Sequence, residues 1–174
     1  MSKASSSPAL TYSLPELDEL LGYALRRAQI QVFQHLVGQF AEYDLRPAQF
    51  SALALIHKNP GLTQVELARA LAIEPPQLVL IVNKLEQRGL ALRIRSKVDR
   101  RSYGLYLSKP GEALLEKLQQ IAAASDEVAT ANLDKAERAQ LLALLKKIYL
   151  GLYAGIPEIS VSPAPVPPRA HPGR

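Results

Sequence analysis

The densest chemistry in this 174-residue chain lies between residues 88 and 109. Seven basic side chains fall there: Arg88, Arg93, Arg95, Lys97, Arg100, Arg101 and Lys109, with one acid, Asp99. The stretch carries a net charge of +6, against +5 for the whole chain, so the basicity is local. Clustered cations of this kind suit a polyanion, because each can displace a counterion condensed on a phosphate. A solvated hairpin tip is the bland use of the same charge, and the flanking elements decide between the two. Other chemistries find less support. His35, His57 and His171 have no metal-ligand spacing. No serine, histidine and acid constellation stands out, and no glycine-rich phosphate loop is present. With zero cysteines, disulfides, thiolate metal sites and thiol redox sensing are excluded. The expectation is a protein that is not an enzyme and needs no cofactor or metal.

The basic strip sits inside an alternating pattern. Leu92 and Ile94 precede it, and Tyr103, Leu105 and Leu107 follow. Alternation on both sides of a charged turn predicts a two-stranded hairpin. Helical patterns surround it. Ser13-Leu14-Pro15-Glu16 predicts a capped start, and an apolar stripe from Leu17 to Phe40 predicts one long helix to about Ala41. Pro47 opens a second helix, stopped by Asn59-Pro60-Gly61. Thr63-Gln64-Val65-Glu66 is a capping box for a third. Pro75 opens a fourth, which ends at Arg88-Gly89 where glycine can adopt a left-handed conformation. Ser108-Lys109-Pro110-Gly111-Glu112 and Asp134-Lys135-Ala136-Glu137 start two leucine-rich helices. The fold class is therefore mainly α, with two short helices in a helix-turn-helix unit followed by a two-stranded β-wing.

Bulk properties fit that picture. An apolar fraction of 48% is ample for a core. Residues 1–12 lack the apolar segment of a signal peptide, and the purest apolar run, Leu78 to Val82, is five residues. No membrane association is expected, and the default location is the cytoplasm. Residues 1–12 and the proline-rich 156–174 read as disordered tails around a unit spanning 13–153. Within it the winged helix covers about 45–108, and long helices cover about 14–42 and 109–153.

The ordered set of elements and residues resembles the MarR family of bacterial transcription regulators. Leu45-Arg46-Pro47-Ala48-Gln49-Phe50 is similar to the start of the family's second helix. Leu62-Thr63-Gln64-Val65-Glu66-Leu67-Ala68, followed by Leu85-Glu86-Gln87-Arg88-Gly89-Leu90, carries the likeness onward. Asp99-Arg100-Arg101 with Leu107-Ser108 and Gly111 resembles the family's wing motif and exit. The likeness spans about residues 14–153. It implies a triangular homodimer whose first, fifth and sixth helices form the base. Two DNA-reading lobes would meet a palindromic operator in double-stranded DNA, in successive major grooves. The family mostly represses, and many members release DNA when a small molecule binds between base and lobe.

Residue roles follow from that frame. Arg101 is expected in the minor groove or on its phosphates, with Asp99 bracing the turn. Arg95, Lys97 and Arg100 are expected on phosphates, which supply affinity without sequence information. The fourth helix departs from the family pattern of Ser, Thr and Arg on its exposed face. Leu78, Ile81, Val82 and Leu85 read as core. Gln77 could pair with adenine, and Pro76, Val79 and Leu80 could touch thymine methyls or simply pack. Lys84 could meet a phosphate. For an effector, the candidates are Arg26, Arg27, His35, Arg46 and Phe50, with His57 nearby on the second helix. Cations beside an aromatic cleft could hold an aromatic acid or its coenzyme A thioester. A solvated face or interchain ion pairs is the more ordinary explanation of Arg26 and Arg27. Two other classes stay open: a winged-helix protein-interaction module with weak non-specific DNA binding, and an enzyme acting on an aromatic acyl compound.

Overall fold

The computed structural model describes Leu17, residues 19–95 and residues 102–151. Helix α1 is Leu21–Ala41, α2 is Pro47–Lys58, and a short strand β1, Leu62–Thr63, leads into α3, Gln64–Leu71. Helix α4 is Pro75–Gln87. The hairpin strands are β2, Ala91–Arg95, and β3, Tyr103–Leu107. Helices α5, Lys109–Ala129, and α6, Lys135–Gly151, complete the order. Among the described residues no helix is long and apolar enough to cross a membrane.

The punctuation residues act largely as their chemistry dictates. Thr63 Oγ1 accepts from the Glu66 backbone N–H while the Glu66 carboxylate accepts from the Thr63 N–H, a reciprocal cap for α3. Ser108 Oγ accepts from the Gly111 N–H at 3.1 Å. Asp134 Oδ1 takes the N–H groups of Ala136 and Glu137, and Glu137 returns a bond to the Asp134 N–H. Gly89 adopts φ +66, the left-handed turn expected after α4. The first helix differs from expectation. The expected single helix is interrupted before Leu21, where Leu20 is extended at φ −82, ψ 117, while Leu17 ahead of the break is helical. Gly22, a poor helix former, falls in the first turn, and Ser13 lies outside the described residues.

The hairpin pairs in antiparallel register, with Ala91 opposite Leu107, Arg93 opposite Leu105 and Arg95 opposite Tyr103. The two-stranded wing is joined by a third strand, since β1 pairs with the far edge of β3, giving the order β1-β3-β2. This ties the start of α3 to the wing. Gly104 permits the approach: a Cβ there would lie 2.8 Å from the Gly61 carbonyl oxygen.

One core unites the middle of the chain. Phe40 from α1, Leu53 and Ile56 from α2, Leu67 from α3, Leu78, Val82 and Leu85 from α4, Leu105 from β3 and Leu115 and Leu118 from α5 are all buried. Helix α6 contributes no buried residue. Its Leu141, Leu142, Leu144, Ile148 and Leu150 are exposed, as are Leu21, Ile30, Phe33 and Val37 on α1. Isolated apolar residues on a surface need no explanation, but two long helices exposing whole rows do.

Candidate nucleic-acid interface

Helix α4 is the second helix of the helix-turn-helix pair, and its periodicity sorts its residues cleanly. Leu78, Val82 and Leu85 face the core and are buried; Ile81 packs beside them. Stepping 100° per residue, the opposite ridge is Pro76, Leu80, Asn83 and Gln87. Gln77 and Lys84 flank it on one side, Val79 and Glu86 on the other. Pro76, Gln77, Val79 and Leu80 are exposed, so the expected base-facing residues do reach solvent together.

The two flanks are held from outside the helix. On the wing side, Arg93 of β2 reaches back across the Gly89 turn. Its guanidinium donates to the Glu86 carboxylate and, through Nη2, to Asn83 Oδ1 at 2.8 Å, while its backbone N–H donates to Glu86 Oε1 at 3.1 Å. Both charged side chains are half-buried, which strengthens the pair above a solvated one. On the opposite flank, Arg88 donates from Nη1 to the Asp44 carbonyl and from Nη2 to the Tyr43 carbonyl, each at 2.8 Å. The Lys84 ammonium lies 3.2 Å from Asp44 Oδ1. The recognition helix is thus pinned to the wing by one arginine and to the α1–α2 turn by another.

These contacts change the reading of the basic strip. Arg88 and Arg93 serve structure. Lys109 pairs with Glu112 at 2.7 Å. Its hydrogen bond and charge hold the Glu112 carboxyl below the usual carboxylate range, and Glu112 holds the Lys109 ammonium above its ordinary value by the same two effects. The other charged residues of the strip are Arg95, Lys97, Asp99, Arg100 and Arg101. Arg95 is exposed at the end of β2. Lys97, Asp99, Arg100 and Arg101 lie outside the described residues.

The expected effector residues fall into separate groups. Arg26 and Arg27 are exposed on α1; Arg27 stands over the Tyr23 ring, its Cζ 5.8 Å from the centroid, and donates to the Tyr23 hydroxyl at 3.3 Å. About 20 Å further along the helix, at 1.5 Å per residue, Phe40 meets Phe50 of α2 with ring centroids 5.2 Å apart. Arg46 sits between them in sequence as the residue before α2, its backbone N–H donating to Gln49 Oε1 at 2.9 Å. His35 Nδ1 lies 2.8 Å from Ser125 Oγ of α5, joining the two long helices. The lone-residue reading of the sequence counted Arg88 and Arg93 only as strip charge and gave no role to Asn83, Glu86, Asp44 or Ser125. Only Glu86 and Arg93 carried a usable signal, as opposite charges across a glycine turn that folds strand back on helix.

The MarR family model matches residues 45–103 of the chain. The transcriptional repressor CouR, solved bound to a 23-mer DNA duplex, is similar with a TM-score of 0.74 and 43% sequence identity, covering 79% of this chain and 97% of its own. CouR bound to p-coumaroyl-CoA matches with a TM-score of 0.72 and 39% identity, over 79% of this chain and 97% of that one. A Thauera aromatica protein, provisionally assigned as the transcriptional regulator of the hcr operon, is 37% identical over 130 residues, 74% of this chain and 78% of its own length.

Proposed function

From the premise that the chain belongs to the MarR family, we propose that it is a homodimeric repressor that binds a palindromic operator and is released by a small aromatic acid or its coenzyme A thioester. The observation that carries this reading is the joining of an exposed recognition-helix ridge to a basic wing by the Arg93 clamp. A helix inserted in the major groove and a hairpin lying along the backbone must keep a fixed spacing to engage one duplex. Relatives support the chemistry: CouR is a repressor solved both on DNA and with p-coumaroyl-CoA.

In this reading residues 13–153 form the regulator unit, with the winged helix at about 45–108 between dimerisation helices. The exposed rows of α1 and α6 meet their counterparts in a second copy. Pro76, Gln77 and Leu80 face bases, with Lys84 at the backbone. Arg95, Lys97, Arg100 and Arg101 meet phosphates, with Asp99 bracing the turn. Phe50 and Arg46 lie near the end of α1, and Arg26, Arg27 and His35 lie along it. A coenzyme A thioester is long and anionic, with an aromatic end for the Phe50 side and phosphates for arginines.

The test is a fluorescence-anisotropy titration on the palindromic duplex upstream of the chain's own gene, against scrambled duplex at equal salt. Specific binding in the nanomolar range is expected, reversed by p-coumaroyl-CoA or p-coumarate. Equal affinity for the palindrome and the scramble would refute the operator reading. Specific binding indifferent to both compounds would refute this effector class.

A further inference from the structure

Two polar residues of α4, Asn83 and Lys84, are held by other parts of the chain, while its N-terminal half exposes apolar side chains. Leu80 is 70% exposed, the most exposed large apolar residue of the described chain. It sits on the second turn of the helix, with Pro76 one turn before it on the same ridge. Asn83, the next member of that ridge, has its carbonyl oxygen held by Arg93. Lys84, on the flank, is paired with Asp44. No arginine occurs between Pro75 and Gln87, so the bidentate arginine contact to guanine cannot come from this helix. The part of a recognition helix that meets base edges is its N-terminal half, and here that half offers Pro76, Gln77, Val79 and Leu80.

Resting on the operator reading above, we propose that this chain reads thymine through its 5-methyl group, with Leu80 and Pro76 as the contacting surface. The C5-methyl is the one apolar feature of a base pair in the major groove, and it distinguishes thymine from cytosine without a hydrogen bond. Leu80 gains nothing from water and closes on the methyl as the helix docks. Gln77, on the adjoining flank, is placed to take the adenine of a neighbouring pair. The half-site therefore centres on A·T pairs.

The experiment begins with a duplex selected by the full-length protein from a randomised library. Each thymine is then replaced by deoxyuridine, which removes the methyl and leaves every hydrogen-bonding group. Burial of one methyl corresponds to about fourfold in affinity, so replacement in both half-sites of a palindrome is expected to weaken binding by about fifteenfold. Leu80→Ala, an exposed substitution that leaves the core intact, is expected to discriminate less between thymine and uracil duplexes, Pro76 keeping the remainder. An enriched site that binds equally with uracil throughout would overturn the thymine assignment and leave the regulator reading standing; that outcome would fit a ridge that contacts another protein. An undiminished uracil penalty in Leu80→Ala would also overturn it. A library from which nothing is enriched would overturn both readings.

Discussion

Replacing Arg93 by methionine keeps the aliphatic stem in place and removes the guanidinium that joins wing to recognition helix. The lost contacts are one charge-assisted pair with Glu86 and one hydrogen bond to Asn83. Such bonds are worth about 1.5–3 and 0.5–1.5 kcal/mol when well sheltered. Both charged partners retain 26% of their side-chain exposure, so screening reduces the sum to about 2 kcal/mol. For a chain of this length that corresponds to a fall in melting midpoint of about 4–8 °C, measured at fixed protein concentration because association contributes. The effect on DNA is separate. If binding must restore the whole clamp geometry, affinity falls by at most about thirtyfold, the equivalent of about 2 kcal/mol. Glu86→Gln tests the pairing: in a double-mutant cycle the two substitutions should fall short of additivity by about 0.5–3 kcal/mol. Unchanged melting in Arg93→Met, or strict additivity with Glu86→Gln, would refute the clamp.

Leu144→Glu places a charge on the exposed row of α6, away from the chain's own core; light scattering should show a shift from dimer to monomer with helical content retained, and a persistent dimer would count against that row as the interface. Gly111→Ala should be severe. A Cβ there would lie 2.0 Å from the Leu90 carbonyl oxygen, a backbone clash costing about 3 kcal/mol or more, at the top of the overpacking range, read as a large drop in denaturation midpoint. Thr63→Ala removes the α3 cap and should cost about 1 kcal/mol in chemical denaturation.

Helix-forming stripes, capping boxes and the glycine turn made most of the fold legible, because these are local and repeat with the period of the element. Leu78, Val82 and Leu85 could be assigned inward from spacing alone. The third strand was not legible: two residues, Leu62 and Thr63, carry no alternation, and their pairing with Gly104 and Leu105 depends on the approach of two glycine positions distant in sequence. Nor did the alternation of β2 say which face turns inward. Ala91 is buried and Arg93 half-buried, while Leu92 and Ile94 are exposed, because the arginine finds Glu86 and Asn83 on the inner side. His35 was one of several effector candidates in the sequence, and its contact with Ser125 of α5 could not be read from its own helix. In each case the deciding partner is remote or is hidden by the register of the hairpin.

The same remoteness limits charge counting, and it has a measurable consequence. Arg93, held by Glu86 and Asn83, and Arg88, bonded to two carbonyls, each direct guanidinium donors to the protein itself, which fixes their side chains rather than leaving them to follow a phosphate. On the operator reading proposed above, the wing's electrostatic share of DNA binding is then expected from at most four bases per lobe, Arg95, Lys97, Arg100 and Arg101, rather than the seven in the strip. Each phosphate neutralised contributes about 0.9 to the slope of log affinity against log salt. In a dimer the wings then supply a slope of about −7, where seven contacts per lobe would give about −13. Substituting Arg100→Gln should reduce the magnitude by about 2, one contact in each lobe. Lys109→Gln should leave the slope unchanged, since Lys109 is paired with Glu112 on the first turn of α5. Equal changes from the two substitutions would mean that the strip acts as undivided charge, and that the division between clamp and contact is wrong.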